Sequence, residues 1–178
     1  MRVIAGKYKG MTLTAPSGEA RPTLDRTKET LFNILNFKLQ NAAVLDLFAG
    51  SGQLAIESLS RGAKKAVLCD NNALSIAAIK RNFLKIGEIP NIVFGDYKTC
   101  LCKLDTTFDV IFVDPPYQSA YYDDVLKIIS DKNLLSEDGI VVCEHAAADD
   151  LLEAVGYLSV YDIRKIGSVK FDFYKRSK

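Results

Sequence analysis

From residue 42 onward, short apolar runs alternate with segments whose apolar residues recur at the spacing of a helix. This alternation is typical of βαβ units, in which parallel strands form a sheet that helices cover on both faces. We expect helices between the first six strands and an antiparallel final strand, because only a tight turn at Gly167 precedes it. The fold class is therefore α/β with a mostly parallel, seven-stranded sheet. The predicted strands span residues 42–48, 65–70, 91–96, 109–114, 139–145, 158–166 and 168–175.

The chain before residue 42 has a different character. Residues 2–16 predict a short hairpin, and a loop then leads into a helix with three leucines spaced four apart on one face. We therefore predict two units. Residues 1–40 form a small hairpin-plus-helix extension whose basic residues are free to meet a ligand, and residues 41–178 form the main domain.

Composition places the chain among ordinary globular proteins. Of its 178 residues, 48% are hydrophobic and 25% are charged, and no apolar run approaches the roughly 20 residues that a membrane helix needs. The N-terminus has no apolar signal region, so a cytoplasmic protein is expected. The four cysteines are too scattered for a disulfide framework or a zinc site. We expect a monomer with no metal and no membrane partner.

Positive charge is concentrated at the two ends of the sequence. Residues 1–40 carry seven Lys/Arg against three acids, and residues 164–178 carry six against one, although the net charge of the whole chain is only +1. Basic ends on an acidic body fit either a polyanionic partner or ordinary solvated surface, and the charge pattern by itself leaves both interpretations open.

A glycine loop between a strand and a helix marks a candidate cofactor site. In residues 44–59, Gly50 and Gly52 allow a sharp turn and a close approach to a ligand, and Ser51 is placed to cap the following helix. Asp70 ends the next predicted strand, where a carboxylate suits ribose hydroxyls. The alternative to a cofactor site is a glycine loop that only connects the strand to the helix and binds no ligand.

The acids near this loop distinguish two cofactors. A dinucleotide places its pyrophosphate at the helix N-terminus, where the carboxylate of Asp46 would repel it. S-adenosylmethionine has no phosphate and carries a sulfonium and an ammonium group, which Asp46 suits. Asp96, after the third strand, is placed to accept the adenine amino group. S-adenosylmethionine is therefore the predicted cofactor, and a nicotinamide is the remoter alternative.

The fourth strand runs directly into Asp114, Pro115, Pro116 and Tyr117. Ligands of open α/β sheets bind at the carboxyl ends of the strands, so these residues would stand beside the cofactor. The carboxylate of Asp114 and the carbonyl of Pro115 can accept both hydrogens of a nucleobase amine and align it for attack, while Tyr117 stacks on the base. A simple strand-terminating turn is the alternative to this amine site.

The segments "DLFAGSG" and "DPPY" together resemble class I S-adenosylmethionine-dependent amino-methyltransferases, whose Rossmann-like fold has a seven-stranded sheet with an antiparallel last strand. With "RVIAGKYKG" and "RPTLDRTKETLFNIL", the chain resembles the bacterial 16S ribosomal RNA guanine-N2 methyltransferase family, which modifies guanine 966. The resemblance implies a catalytic group of Asp114, Pro115, Pro116 and Tyr117. It implies cofactor binding by Asp46, Phe48, Ala49, Gly50, Ser51, Gly52, Asp70, Asn71, Asp96 and Tyr97. It implies RNA binding by Arg2, Lys7, Lys9, Arg21, Thr23, Arg26 and Lys28.

The implied partner is 16S rRNA or an assembly intermediate of the small ribosomal subunit. Two alternatives stay open. One is adenine-N6 methylation of DNA or RNA, because the DPPY motif serves amines on different rings, and the other is a noncatalytic RNA-binding module that retains the fold. Two positions depart from the family pattern. Lys28 stands where arginine is usual, and "GSV" at 167–169 replaces a glycine, an acid and a threonine.

Overall fold

The computed structural model describes residues 1–16, 24–116 and 121–177. Its strands are β1 (Ala43–Asp46), β2 (Lys65–Asp70), β3 (Asn91–Phe94), β4 (Phe108–Val113), β5 (Leu135–Ala146), β6 (Ala154–Val155), β7 (Leu158–Ile166) and β8 (Val169–Arg176). They form one sheet in the order β3-β2-β1-β4-β5-β8-β7-β6. Strands β1 to β5 pair in parallel, whereas β8 runs antiparallel to both of its neighbours.

Two apolar layers cover this sheet because neighbouring side chains of a strand point to opposite faces. In β4, Val110 and Phe112 pack on one face, and Ile111 and Val113 pack on the other. The helices are α1 (Leu24–Ile34), α2 (Gln53–Ser60), α3 (Ala73–Ile86), α4 (Tyr97–Lys103) and α5 (Tyr122–Asp131), and a 3-10 turn spans Asn36–Lys38. In the part of the chain that the structure describes, no helix has the length and apolarity to cross a membrane.

The predicted fold class is confirmed, including the parallel core and the antiparallel last strand, but the sheet has eight strands where seven were predicted, and the additional strand is the short β6. The helix predicted between the fifth and sixth strands is wrong. Residues 147–153 form a turn and a loop, and β6 then pairs with the start of β7 across Gly156, which has a φ of +58°. Pairing with β7 across this tight turn satisfies backbone groups at the edge of the sheet, and this short hairpin outweighs the helix propensity of the alanine-rich segment before it.

The N-terminal hairpin is present and packs against the main body. Arg2 pairs with Thr12 in an antiparallel bridge, and the amide of Val3 donates to the carbonyl of Met11 at 3.0 Å. Val3 and the three leucines at 31, 35 and 39 are buried in the same apolar cluster as β1, β4 and β8. This packing attaches the hairpin and α1 to one side of the sheet.

Candidate active site

A cavity of about 780 Å³ opens at the carboxyl ends of the parallel strands. This is the edge at which open α/β sheets bind ligands, and the volume lies within the range of roughly 300 to 1,000 Å³ usual for small-molecule sites. Six of the predicted cofactor-binding residues line it. They are Phe48, Gly50, Asp70, Asn71, Asp96 and Tyr97.

The glycine loop connects β1 to α2 and is fastened to the end of β2. The amide of Gly50 donates to Oδ2 of Asp70 at 2.8 Å, and the amide of Asn72 donates to Oδ1 of the same carboxylate at 2.8 Å. Gly52 has a φ of +76°, and a Cβ there would lie 3.0 Å from the side chain of Leu68. This turn therefore requires glycine at position 52. The turn places the backbone of the loop beside the cavity.

Capping of α2 differs from the prediction for Ser51. The residue before the first helical turn is Gly52, and the hydroxyl of Ser51 instead lies 3.2 Å from the sulfur of Met1. Oδ2 of Asp46, at the end of β1, accepts a hydrogen bond from the amide of Ala55 at 3.2 Å. The carboxylate nine residues earlier thus supplies the acceptor that the helix end needs.

Asp46 is buried below the glycine loop and is only 1% exposed. Burial raises its pKa to about 7, the hydrogen bond from Ala55 opposes that rise, and the negative charges of Asp114 and Asp70 add to it. A cation bound nearby would favour the ionised form of this carboxyl. Ala49 and Gly52 lie in the same loop, in which Ala49 is buried and its amide donates to the carbonyl of Cys69.

Three aromatic rings form one wall of the cavity. The ring centroids of Phe48 and Tyr97 are 6.1 Å apart, and those of Tyr97 and Tyr121 are 5.3 Å apart in an edge-to-face arrangement. The hydroxyl of Tyr97 donates to Asp124 at 2.7 Å, which orients the ring. Beside them, Asp96 caps α4 by accepting a hydrogen bond from the amide of Thr99. Hydrogen bonds from the backbone and side chain of Thr99 lower the pKa of Asp96. A flat apolar wall next to a carboxylate suits an adenine ring.

The segment after β4 reaches the same cavity. Asp114, Pro115 and Pro116 line it, with Asp114 half-buried, Pro115 buried and Pro116 exposed. Tyr117, which was predicted to stack on the base, lies outside the described residues, as do Arg21 and Thr23.

Further residues line the cavity and were not predicted to belong to it, among them Tyr121, Tyr122, Glu144 and His145. Glu144 and His145 end β5, the parallel neighbour of β4, so the rule on carboxyl ends of strands could have found them. The two tyrosines open α5, and the sequence there carries no pattern that distinguishes a cavity wall from a helix start. Nε2 of His145 lies 3.2 Å from Oδ1 of Asp172 on β8.

The charge of the cavity restricts what it can bind. Five carboxyl groups line it, and its described lining includes no lysine or arginine. These acids are Asp70, Asp96, Asp114, Glu144 and Asp149. Such a site suits a ligand with a sulfonium and an ammonium group and opposes a pyrophosphate. The residues present therefore fit S-adenosylmethionine.

The predicted RNA-binding residues of the extension are mostly at the surface. The side chain of Arg2 is 66% exposed and lies 3.4 Å from Asp25, and that of Lys7 is 68% exposed and lies 3.2 Å from Glu88. Lys9 and Arg26 are also exposed. Arg26 directly precedes Thr27, which lines the cavity, so its charge lies close to the cavity mouth.

Lys28 is placed differently from the prediction. Its side chain is 3% exposed, with Nζ 2.5 Å from the carbonyl of Arg2 and 3.4 Å from Oε2 of Glu57. Burial lowers the pKa of this lysine, and the negative charge of Glu57 opposes that change. The ammonium joins the N-terminal hairpin to α2 and is not available to RNA.

The strand order, the antiparallel end of the sheet and the acids at its carboxyl edge define a Rossmann-like methyltransferase fold. S-adenosylmethionine is the cofactor of this class. A distant solved structure, SMU.776 complexed with SAH, shares the fold with a TM-score of 0.65 at 19% identity, over 85% of this chain and 49% of that chain.

The chain belongs to the family described as Conserved hypothetical protein 95, whose model matches residues 1–175. It is 32% identical over 179 residues to ribosomal RNA small subunit methyltransferase D of Escherichia coli (strain K12), covering 99% of this chain and 90% of that protein. It is 36% identical over 182 residues to YlbH of Bacillus subtilis, covering 99% of each. The solved structure of yhhF from Escherichia coli matches with a TM-score of 0.88 and 29% identity, over 99% of this chain and 98% of that one. The family predicted from the sequence motifs is confirmed.

Proposed function

We propose that this protein transfers a methyl group from S-adenosylmethionine to the N2 amine of a guanine in 16S rRNA, at family position 966. The observation that carries the proposal is the placement of Asp114 and Pro115, at the end of β4, against an acidic cavity beside the glycine loop. The names of the curated relatives support a ribosomal RNA substrate.

The amine of a nucleobase is a weak nucleophile because its lone pair is delocalised into the ring. S-adenosylmethionine, when bound, supplies an electrophilic methyl group on a sulfonium. Asp114 and the carbonyl of Pro115 accept the two N–H groups, which orients the nitrogen lone pair towards that methyl. The prolines fix φ and keep the turn rigid, and the Asp114 carboxylate is placed to take the proton that the amine loses.

The remaining residues bind the cofactor and the RNA. The carboxylates of Asp46 and Asp70 face the cationic and ribose portions, and Asp96 with the aromatic wall receives the adenine. The target base must leave its stack to reach Asp114, at a cost of a few kcal/mol. The surface charges of the extension then hold the neighbouring phosphates.

Two titrations and one transfer assay test the proposal. We expect calorimetry to detect S-adenosylmethionine binding and to detect no NAD binding, and we expect labelled methyl to appear in small-subunit RNA and not in DNA. Cofactor binding without transfer to any nucleic acid would favour a noncatalytic module. NAD binding alone would indicate an oxidoreductase.

Cofactor affinity is expected to depend on pH through Asp46. The pKa of this carboxyl is about 7 in the free protein, and a cationic ligand binds best to its ionised form. Binding below that pH therefore releases about one proton, and affinity rises as the pH is raised through about 7. Calorimetry in buffers of different ionisation enthalpy measures the proton count. Asp46→Asn should bind more weakly and lose the part of the pH response centred near 7, which leaves the titration of Glu144 at higher pH. An Asp46→Asn profile that follows the wild type would contradict the assignment.

RNA affinity is expected to fall when surface charge is removed from the extension. We expect Lys9→Ala and Arg26→Ala each to reduce the slope of log affinity against log salt by about 0.7 to 0.9, since each lost phosphate contact leaves one counterion unreleased. Filter binding at several salt concentrations measures this slope. Lys103→Ala is the matched control, because Lys103 is exposed and ends α4, whose Leu101 packs on the face of the sheet opposite to the extension. Equal slopes in all three variants would rule out this face as the RNA contact.

A further inference from the structure

Glu144 and Asp114 are neighbours on adjacent parallel strands. Val113 of β4 is in register with Cys143 of β5, so the next residue of each strand brings the two carboxyl groups side by side. Neighbouring strands lie about 4.8 Å apart, and residues in register point to the same face of a sheet. Both side chains line the cavity, so the carboxyl groups face the same bound ligand.

The backbone of Glu144 is held from two sides. The hydroxyl of Tyr122 on α5 donates to the carbonyl of Glu144 at 2.6 Å, and the ring of Tyr122 meets the ring of His145 edge-on with centroids 5.9 Å apart. His145 in turn lies 3.2 Å from Asp172 on β8. The end of β5 is therefore fixed between a helix and a strand, which is the rigidity that a specificity group needs.

The surroundings of Glu144 favour a ligand that donates hydrogen bonds. The residue is half-buried, and burial together with the negative charge of Asp114 raises the pKa of its carboxyl to about 8. The negative charge of Asp114 beside Glu144 disfavours an anion at this end of the cavity and favours a hydrogen-bond donor. A ligand with two neighbouring N–H donors can reach both carboxyl groups at once.

We infer that Glu144 determines base specificity by accepting the N1–H of the target guanine while Asp114 and Pro115 hold its N2 amine. This inference rests on the proposed function. The Watson–Crick edge of guanine presents N1–H and the N2 amine side by side, whereas adenine presents an acceptor at N1 beside its amine. An ionised carboxylate only accepts hydrogen bonds, so Glu144 admits guanine and repels the N1 lone pair of adenine.

The test replaces the target guanine by 2-aminopurine, which keeps the amine at C2 but has an acceptor at N1. Small-subunit RNA is ligated from a synthetic segment carrying either base, and transfer is measured at saturating S-adenosylmethionine at a pH of about 8, where the cationic cofactor favours the ionised carboxyl of Glu144 and N1 of guanine keeps its proton. For the wild type we expect kcat/KM for guanine to exceed that for 2-aminopurine by about 10- to 100-fold. For Glu144→Gln we expect the ratio to fall towards one, because the glutamine amide can donate to N1.

The comparison of ratios cancels the intrinsic reactivity of the two bases. Asp149→Asn is the matched control, since Asp149 is another half-buried acid in the cavity wall, and its ratio should equal that of the wild type. An unchanged ratio in Glu144→Gln would overturn the inference. If that variant does not fold, the wild type alone still tests the inference, because equal kcat/KM values for guanine and 2-aminopurine would overturn it. Failure of the proposed function looks different, because the wild type would then transfer no methyl to guanine N2 in either RNA.

Discussion

Replacing Asp114 by alanine is expected to lower the rate of methyl transfer by at least about 100- to 1,000-fold, the loss usual when one preorganised polar group is removed from a transition state. In the proposed mechanism the carboxylate orients the amine of the base, so binding of S-adenosylmethionine should be largely retained. Removing its negative charge also lowers the pKa of Asp46, which favours the ionised form that a cation prefers. Single-turnover transfer and a cofactor titration on the same preparation separate the two effects.

Two variants sharpen this comparison. Asp114→Asn keeps one acceptor oxygen and should retain more activity than Asp114→Ala, whereas Asp105→Ala, at an exposed loop position, should resemble the wild type. An Asp114→Ala protein with near-normal transfer would remove the central element of the mechanism. Loss of cofactor binding in the same variant would reassign Asp114 to the cofactor site.

Replacing Glu57 by glutamine is expected to lower the free energy of unfolding by about 3 to 5 kcal/mol, which is the usual effect of breaking a buried ion pair from one side. The carboxylate is fully buried, with Lys28 at 3.4 Å and Nε of Arg61 at 2.8 Å. It also accepts the amides of Ile4 at 2.8 Å and Ala5 at 3.1 Å. The variant therefore leaves buried cations without a counter-charge and weakens the attachment of the N-terminal hairpin.

Urea denaturation measures the effect against Asp131→Asn, which removes an exposed partner of Lys127 and should cost no more than about 0.5 kcal/mol. Adding Lys28→Met to the Glu57→Gln variant should recover part of the loss, because it removes one of the unpaired cations. Equal losses in Glu57→Gln and Asp131→Asn would show that the buried network does not hold the extension in place.

The centre of the sheet was predictable because β1, β2, β4 and the second half of β5 are buried on both faces and therefore form continuous apolar runs. The acids that end β1, β2 and β4 could be located for the same reason, since each follows such a run. Short-range pairing was harder to foresee. β6 spans only two residues, Ala154–Val155, and forms because it pairs with β7. No local pattern in residues 147–153 predicts this contact.

The role of Lys28 shows why charge in a sequence is an incomplete guide to a surface. Its neighbours in the sequence suggested an RNA contact, but Lys28, Leu31 and Leu35 follow the spacing of one helical face, and all three are buried. That spacing could have revealed its position. Its partner Glu57 could not have been found in this way, because the pairing of α1 with α2 depends on how the extension packs.

The part of the site that sequence reasoning located best is the part that lies at strand ends. Asp70, Asp96 and Asp114 line the cavity as expected, whereas Asp46 lies below the loop and caps α2. The cap joins residues nine positions apart through the turn of the glycine loop, and only the folded backbone brings them together. Their roles in binding and catalysis stay predictions until the variants are measured.

The most direct test of the central claim is to identify the methylated nucleoside. The protein is incubated with labelled S-adenosylmethionine and small-subunit particles that lack the modification, and the RNA is then digested for mass spectrometry and mapped by primer extension. We predict a single labelled product, N2-methylguanosine, at the family position. Label on the N6 amine of adenine, or particles that acquire no label, would contradict the account.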